Sequence, residues 1–459
     1  MRQLSFFLFL FFSQIVYTQC NEDAVFLRQI YTKSLTEGQA YNWLTHLTTD
    51  IGGRLAGSPQ AAAAVEYTKQ ILDTLGLDSV WLVPCMVPHW VRGEKEIVRI
   101  VNSKKLGSVD LNALALGNSI GTGKSGITAE VIEVKSLDEV ETLGAAVAGK
   151  IVFYNRPMSS IPIRTFKAYG EAVDQRVYGP SKAAEYGAVG TIVRSITNSL
   201  DDIPHTGVTV YGEGINGIPA IAISTKAADL LSDLLKEETV HVYMRNTSQN
   251  LAKVLSYSVV GEIKGSEKPE EIILVGAHLD SWDVGEGAQD DGAGCVHSMD
   301  VLNILKKMNY KPKRTIRCVL FMNEENGMAG GRAYAKTSNE QAEFHLAAIE
   351  SDAGGFTPRG FSCDGLANIF NEKFKKLSNW LPLLAPYGLY LSKGGSGADI
   401  SPLKSQGGLL IGFRPDSQRY FDYHHTATDT IDIVNKRELQ LGVASIASLV
   451  YLIDKYGLD

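Results

Sequence analysis

The sequence predicts an α/β protein: a mostly parallel sheet with helices on both faces, interrupted by an inserted β-rich module. Two observations carry this. From about residue 252 onward, near-continuous apolar runs alternate with helical segments, as expected of strands buried on both faces. Between residues 120 and 251 the texture changes to short strands, GKIVFYN, GTIVRSI and IPAIAIS, separated by glycine-rich turns and one helix ending in KAAEYGA.

The elements follow in order. In QAAAAVEYTKQILDTLGL, Val65, Ile71, Leu72 and Leu75 recur at helical spacing and stop at Gly76, a plausible cap. EIVRIVNS and GITAEVIEV read as strands. After the inserted module come a strand over 271–277, a helix from about Gly294 to Lys307, a strand over 314–322, a helix near Gly330 to Lys336 and a strand over 345–351. The division is therefore 49–119 with 252–459 as the main domain and 120–251 as the insertion. In open sheets of this kind ligands bind at the carboxyl ends of the strands.

Composition narrows the function. The chain has 459 residues and a formal net charge of −7, with no Lys/Arg-rich run, which argues against nucleic acid and anionic membranes as partners. Residues 1–19 have the shape of a signal peptide, with an apolar core from Leu4 to Phe12. No later segment reaches the ~18 apolar residues of a membrane helix. An exported protein without a membrane span is expected, either extracellular or held in a lysosome or secretory vesicle. Cys20, Cys85, Cys295, Cys318 and Cys363 have no close spacing, so neither a disulfide framework nor a CxxC zinc site is indicated. Asn246 opens a glycosylation sequon, Asn246-Thr247-Ser248.

The chemistry sits at the strand ends. His278 and Asp280 follow the first strand of the main series, Glu324 and Glu325 the second, Asp352 the third, and His425 follows GGLLIGFRP and its loop. Carboxylates crowded at one sheet edge repel one another and raise each other's pKa. A pair of divalent cations removes the conflict. Histidine nitrogens with carboxylate oxygens suit zinc better than magnesium or calcium. Two metals some 3.5 to 4 Å apart need a bridging carboxylate, for which Asp283, Glu286, Asp290 and Asp291 are all available, and spacing does not choose among them. Asp280, two residues after His278, is placed to accept the imidazole's other N–H.

These strings, H-L-D-S-W-D-V-G-E-G-A-Q-D-D-G-A-G, MNEENG, ESDAGG and YHHTATDT, resemble the di-zinc exopeptidases of peptidase family M28. The resemblance covers nearly the whole mature chain and implies a zinc-exopeptidase sheet with a protease-associated domain as the insertion. It implies that His278 and Asp352 bind one zinc, Glu325 and His425 the other, and Asp290 bridges. His425 is preferred to His424 because the family pattern is His-Thr-x-x-Asp-Thr. Glu324 is then the general base, and Asp291 follows Asp290 through a cis peptide bond. A propeptide over 20–48, which would cover the active site until cleaved, and a homodimer are implied in the same way.

The charges of this set balance, since Asp290, Glu325, Asp352 and a bridging hydroxide offset two zinc ions. As the resemblance implies, zinc would lower the pKa of its water toward ~7, and Glu324 would take the proton and return it to the leaving amine. The expected substrates are dipeptides or short peptides with free termini, cleaved by a dipeptidase-like carboxypeptidase. The alternatives are a general aminopeptidase of the same family and a metal-free binding or receptor protein on the same fold.

Other residues have plainer readings. His46, His89, His205, His241, His297 and His345 read as surface or core histidines, His297 being closest to the acidic loop. Asp283 and Glu286 read as loop-capping groups. Arg54, in DIGGRLAGSP, suits fixing a turn through its carbonyls better than meeting a substrate carboxylate. The stretch 394–403, GGSGADISPL, reads as a glycine-rich loop before a helix whose amides could receive an anion.

Overall fold

The computed structural model describes residues 22–458; the expected signal peptide and Cys20 lie outside them. The main sheet has eight strands in the order Ser79–Val91, Gln249–Ile263, Arg314–Phe321, Lys268–His278, Phe344–Glu350, Leu409–Pro415, Pro358–Asp364 and Tyr390–Lys393. Its centre is parallel, from Arg314–Phe321 across to Leu409–Pro415. Antiparallel pairings flank that centre, so the sheet as a whole is mixed. Every residue of Arg314–Phe321 is buried, Arg314 and Arg317 included, as a strand covered on both faces requires.

Register fixes where the chemistry emerges. His278 pairs with Phe321, Gly276 with Glu350, and Glu350 with Gly412. The residues that follow, Glu324, Glu325 and Asp352, therefore leave the sheet at the same edge as His278. Helices Ala293–Lys307 and Lys436–Tyr456 cover one face in the largest hydrophobic cluster. On the other face Tyr334 and Ala335 of helix Ala329–Glu340 pack with Ile400 and Leu403.

Residues 22–37 form a helix that belongs to this core. Leu27 and Ile30 are fully buried, as is Leu44 further along. Asp23 accepts hydrogen bonds from Tyr451 and Lys455 of the last helix. The described part of the segment 20–48, expected as a propeptide over the site, packs instead beneath the sheet, because its apolar face needs the same core as the final helix.

The second sheet also has eight strands, ordered Gly107–Leu111, Ile97–Ser103, His241–Arg245, Ile127–Val134, Ile151–Tyr154, Gly190–Arg194, Ala220–Ile223 and Ala113–Ala115. It thus begins at Ile97, and the boundary expected at 119/120 lies inside its span. The local alternation of EIVRIVNS is that of any half-buried strand and does not say which sheet takes it. Helices such as Thr225–Glu237 pack on it, so the module is α/β and not simply β-rich.

Candidate metal centre

Asp290 stands at the middle of the site. Its Oδ1 lies 3.2 Å from His278 Nε2, and its Oδ2 lies 3.2 Å from His425 Nε2. Asp352 Oδ1 approaches His278 Nε2 at 3.6 Å, and Glu325 Oε2 approaches His425 Nε2 at 3.1 Å. The five residues expected as ligands lie close together, and donor atoms converge in two groups that share Asp290: His278, Asp290 and Asp352 in one, Asp290, His424 and His425 in the other, with Glu325 facing His425. Of the four acids that spacing left open as the bridge, Asp283 is held by Arg92 through both oxygens, at 2.6 and 2.9 Å. Glu286 accepts the Ile431 amide at 2.8 Å, and Asp291 accepts the amides of His278 and Gly294. The Asp290–Asp291 bond is cis.

Each ligand is oriented by a partner behind it. His278 Nδ1–H donates to the main-chain carbonyl of Asp280 at 2.9 Å, whereas the Asp280 carboxylate is 3.9 Å away. The expectation that this carboxylate accepts from the ring is corrected: the carboxylate receives the amides of Asn323, Glu324 and Glu325 at 2.7, 3.0 and 3.3 Å. It holds the turn that carries both glutamates. His425 Nδ1–H reaches the Thr206 carbonyl at 3.2 Å, and Thr206 N–H donates to the His425 carbonyl at 3.0 Å. Asp429 accepts the amides of Gln289 and Asp290 at 2.7 and 3.1 Å. Gly294 permits the closest approach, since a Cβ there would lie 1.8 Å from the Ser351 carbonyl oxygen.

The electrostatics call for cations. Asp290 Oδ2 and Glu325 Oε1 are buried without a hydrogen-bond partner among the described residues, a costly condition for carboxylates. Burial, with the Asp290 charge added, pushes the Glu325 carboxyl up to about 7. Burial, followed by the charges of Asp352, Glu325 and Asp290, holds Glu324 well above the ordinary carboxylate range. Two cations among these oxygens and imidazoles would reverse the repulsion, and a nitrogen and oxygen donor set of this kind fits zinc.

The cleft over the centre encloses about 420 Å³ and draws on both sheets. Phe166, Tyr169 and Arg176 come from the inserted module, and Glu324, His278 and Asp352 from the main sheet. Arg176 is 6% exposed, and its Nε has no partner among the described residues. These three residues were not found from the sequence, because nothing local in 160–180 marks them. His424, passed over in favour of His425, stacks on it with ring centroids 3.5 Å apart and lies 3.6 Å from Asp290 Oδ2. Trp282 packs edge-on to His425 at 5.7 Å.

Arg54 is fully buried and donates to the carbonyls of Leu279, Glu286 and Gly287 at 2.6, 2.9 and 3.0 Å, which makes it the fastener of the acidic loop. His297 and His345 are core histidines. His205 is buried against the site, its Nδ1–H donating to the His424 carbonyl. In 394–403 the amides of Asp399 and Ile400 donate to Glu350, so the anion expected there is a carboxylate of the chain itself. Asn246 is 1% exposed and its Nδ2 is buried, which leaves no room for a glycan and corrects the sequon reading. Cys85, Cys295, Cys318 and Cys363 are buried and unpaired. Among the described residues no helix is long and apolar enough to cross a membrane.

A nitrogen and carboxylate metal centre with a second glutamate left beside it, at the carboxyl edge of such a sheet, defines a metallopeptidase. Comparison with known proteins agrees: residues 258–450 match peptidase family M28. Carboxypeptidase Q of Bos taurus is 33% identical over 428 residues, covering 92% of this chain and 86% of the bovine one. A peptidase M28 precursor from Shewanella amazonensis superimposes with a TM-score of 0.88 at 34% identity, over 95% of this chain and 97% of its own. A zinc aminopeptidase from Bacillus subtilis shares the fold, with a TM-score of 0.64 at 19% identity over 90% and 94% of the two chains. The chain belongs to peptidase family M28.

Proposed function

We propose that this protein is a secreted di-zinc exopeptidase that hydrolyses dipeptides or short peptides with free termini, as a dipeptidase-like carboxypeptidase. The observation that carries this is the division of Asp290 between two histidines, one oxygen facing each. His278 and Asp352 would hold one zinc, Glu325 and His425 the other, and Asp290 both. Bound zinc supplies an acidified water and polarises the scissile carbonyl. Glu324, half-buried in the cleft and fixed by its amide to Asp280, would pass a proton from the attacking water to the leaving amine. Phe166, Tyr169 and Arg176 of the insertion, read as a protease-associated-like domain, would orient the peptide and exclude water.

The likeness to carboxypeptidase Q over most of both chains supports the carboxypeptidase side of this reading. The zinc aminopeptidase fold keeps an aminopeptidase as the second. Export by the leader 1–19 and a homodimer complete the proposal. The test is metal content of the purified mature protein, with dipeptide hydrolysis before and after chelation and zinc return. About two zinc per chain, activity restored by zinc and an inactive Glu324→Gln that keeps its metal are expected. Absence of both bound metal and hydrolysis would move the assignment to a binding protein. Cleavage blocked by N-acetylation but not by C-terminal amidation would move it to an aminopeptidase.

A further inference from the structure

His425, a ligand of the proposed metal centre, stands on backbone with φ at +63°, a left-handed conformation that a residue with a side chain rarely takes without support. The support comes from the inserted module. Thr206 N–H donates to the His425 carbonyl at 3.0 Å, His425 Nδ1–H donates to the Thr206 carbonyl at 3.2 Å, and His205 Nδ1–H donates to the His424 carbonyl at 2.8 Å. Two consecutive residues thus hold the ligand ring and the peptide group on either side of it. His205 is 3% exposed, and its Nε2 has no partner among the described residues. An aliphatic side chain would fill the space without that loss, so the ring's use here is its single donor. Its own N–H is fixed on Ser195 Oγ at 2.8 Å, one residue beyond strand Gly190–Arg194.

The same module reaches the proton-transfer side of the centre. Its segments 115–118 and 206–209 are joined by Thr206 Oγ1 to the Ala115 carbonyl at 2.8 Å, Gly117 N–H to the Gly207 carbonyl at 2.9 Å, and Thr209 N–H to the Gly117 carbonyl at 2.9 Å. Asn118 exchanges two hydrogen bonds with Asn326. Its Nδ2 donates to the Asn326 main-chain carbonyl at 3.3 Å, and its Oδ1 accepts from Asn326 Nδ2 at 3.2 Å. Asn326 Oδ1 in turn accepts from Asn323 Nδ2 at 2.5 Å. Asn323 and Asn326 bracket Glu324 and Glu325. Asp280 holds the start of that turn through main-chain amides, and Asn118 holds its far end.

We propose that this bridge of the inserted module is a built part of the catalytic centre, with His205 positioning His425 for its metal and Asn118 positioning Glu324 against it. Each acts through its hydrogen-bond partner and is a positioning residue. This rests on the di-zinc peptidase reading above.

The experiment uses the full mature protein with zinc as the probe, in wild type, His205→Leu, His205→Asn, Asn118→Gly and Asn118→Asp. Zinc bound per chain is measured across a buffered free-zinc series, with kcat and KM of a dipeptide alongside. His205→Leu is expected to weaken one of the two zinc sites at least ~10-fold and leave the other. His205→Asn, whose Nδ2–H can stand where Nδ1–H does, should recover most of that affinity. Asn118 also has φ at +63°, which glycine adopts freely. Asn118→Gly should therefore keep both zinc affinities and lower kcat about 10-fold with KM unchanged, and Asn118→Asp, which keeps the acceptor, should recover part. Wild-type zinc affinities in His205→Leu, equal weakening of both sites, or an Asn118→Gly loss confined to KM would overturn this inference and leave the peptidase reading standing. If His205→Leu does not fold, Asn118→Gly decides alone, and an unchanged kcat overturns the inference. A wild type that binds no zinc and cleaves no dipeptide would overturn both.

Discussion

Asp280 accepts the main-chain N–H of Glu324 at 3.0 Å through the same oxygen that accepts Asn323. One carboxylate thus sets the turn from which Glu324 and Glu325 project, while the Asp280 carbonyl orients His278. Asp280→Ala should therefore act on the glutamates and leave the His278 contact in place. The expected result is a kcat loss of about 10- to 100-fold that exceeds any loss of zinc through a misplaced Glu325. Zinc loss in proportion to activity would show that Asp280 works through the metal instead.

The readable part of the site was its strand-end residues. His278, Glu325 and Asp352 each follow an apolar run whose pattern announces a buried strand, so their shared edge follows from topology alone. Asp290 needed the family resemblance, since Asp283, Glu286 and Asp291 stand in the same loop. Arg176 and Thr206 were out of reach because they arrive from another sheet, through packing that leaves no periodic trace. The strand Ile97–Ser103 was misplaced for a related reason: alternation reports one buried face and not its owner. Asn246 fails as a glycosylation site because a three-residue sequon carries no information about burial.

Arg54 offers a test of loop fastening. Its guanidinium takes three carbonyls on either side of the acidic loop, and removing it would leave those buried oxygens unpaired. Arg54→Met should destabilise the fold by about 3 kcal/mol or more and weaken zinc binding through misplaced Asp290. Thermal unfolding with and without added zinc measures both. A variant with unchanged Tm and altered peptide selectivity would instead make Arg54 a substrate contact.

His297 and His345 predict an acid limit to stability. Burial first, and for His345 the Arg317 charge as well, lower both pKa values from 6.5 to about 4. Their hydrogen bonds suit neutral rings: His345 Nδ1–H donates to Gln406 and its Nε2 accepts from Tyr334, and His297 Nε2–H donates to the Leu439 carbonyl. Below pH 6.5 the unfolded chain binds protons that the folded chain refuses. The stabilisation is therefore complete above about 6.5 and is lost progressively as pH falls to about 4, by up to ~3 kcal/mol per ring. Denaturant unfolding between pH 7.5 and 4 should show this slope, and His345→Gln should flatten it. An identical slope in that variant would remove His345 from the account.

The helix at residues 22–37 sets the last expectation against a removable propeptide. Leu27 and Ile30 are fully buried with Leu439 and Leu452 in the main cluster, and Asp23 is tied to Tyr451 and Lys455. No residue from 22–48 lines the metal cleft. Deleting 22–48 should therefore expose the underside of the last helix and give aggregated or unfolded protein, not an activated enzyme. Because a failed deletion says little about mechanism, Leu27→Ala and Ile30→Ala carry the finer test. Each should cost about 2 to 5 kcal/mol of stability while kcat and KM of the folded fraction stay unchanged. A soluble deletion variant with higher activity than the full mature chain would establish the inhibitory segment and require the helix to leave this core on activation.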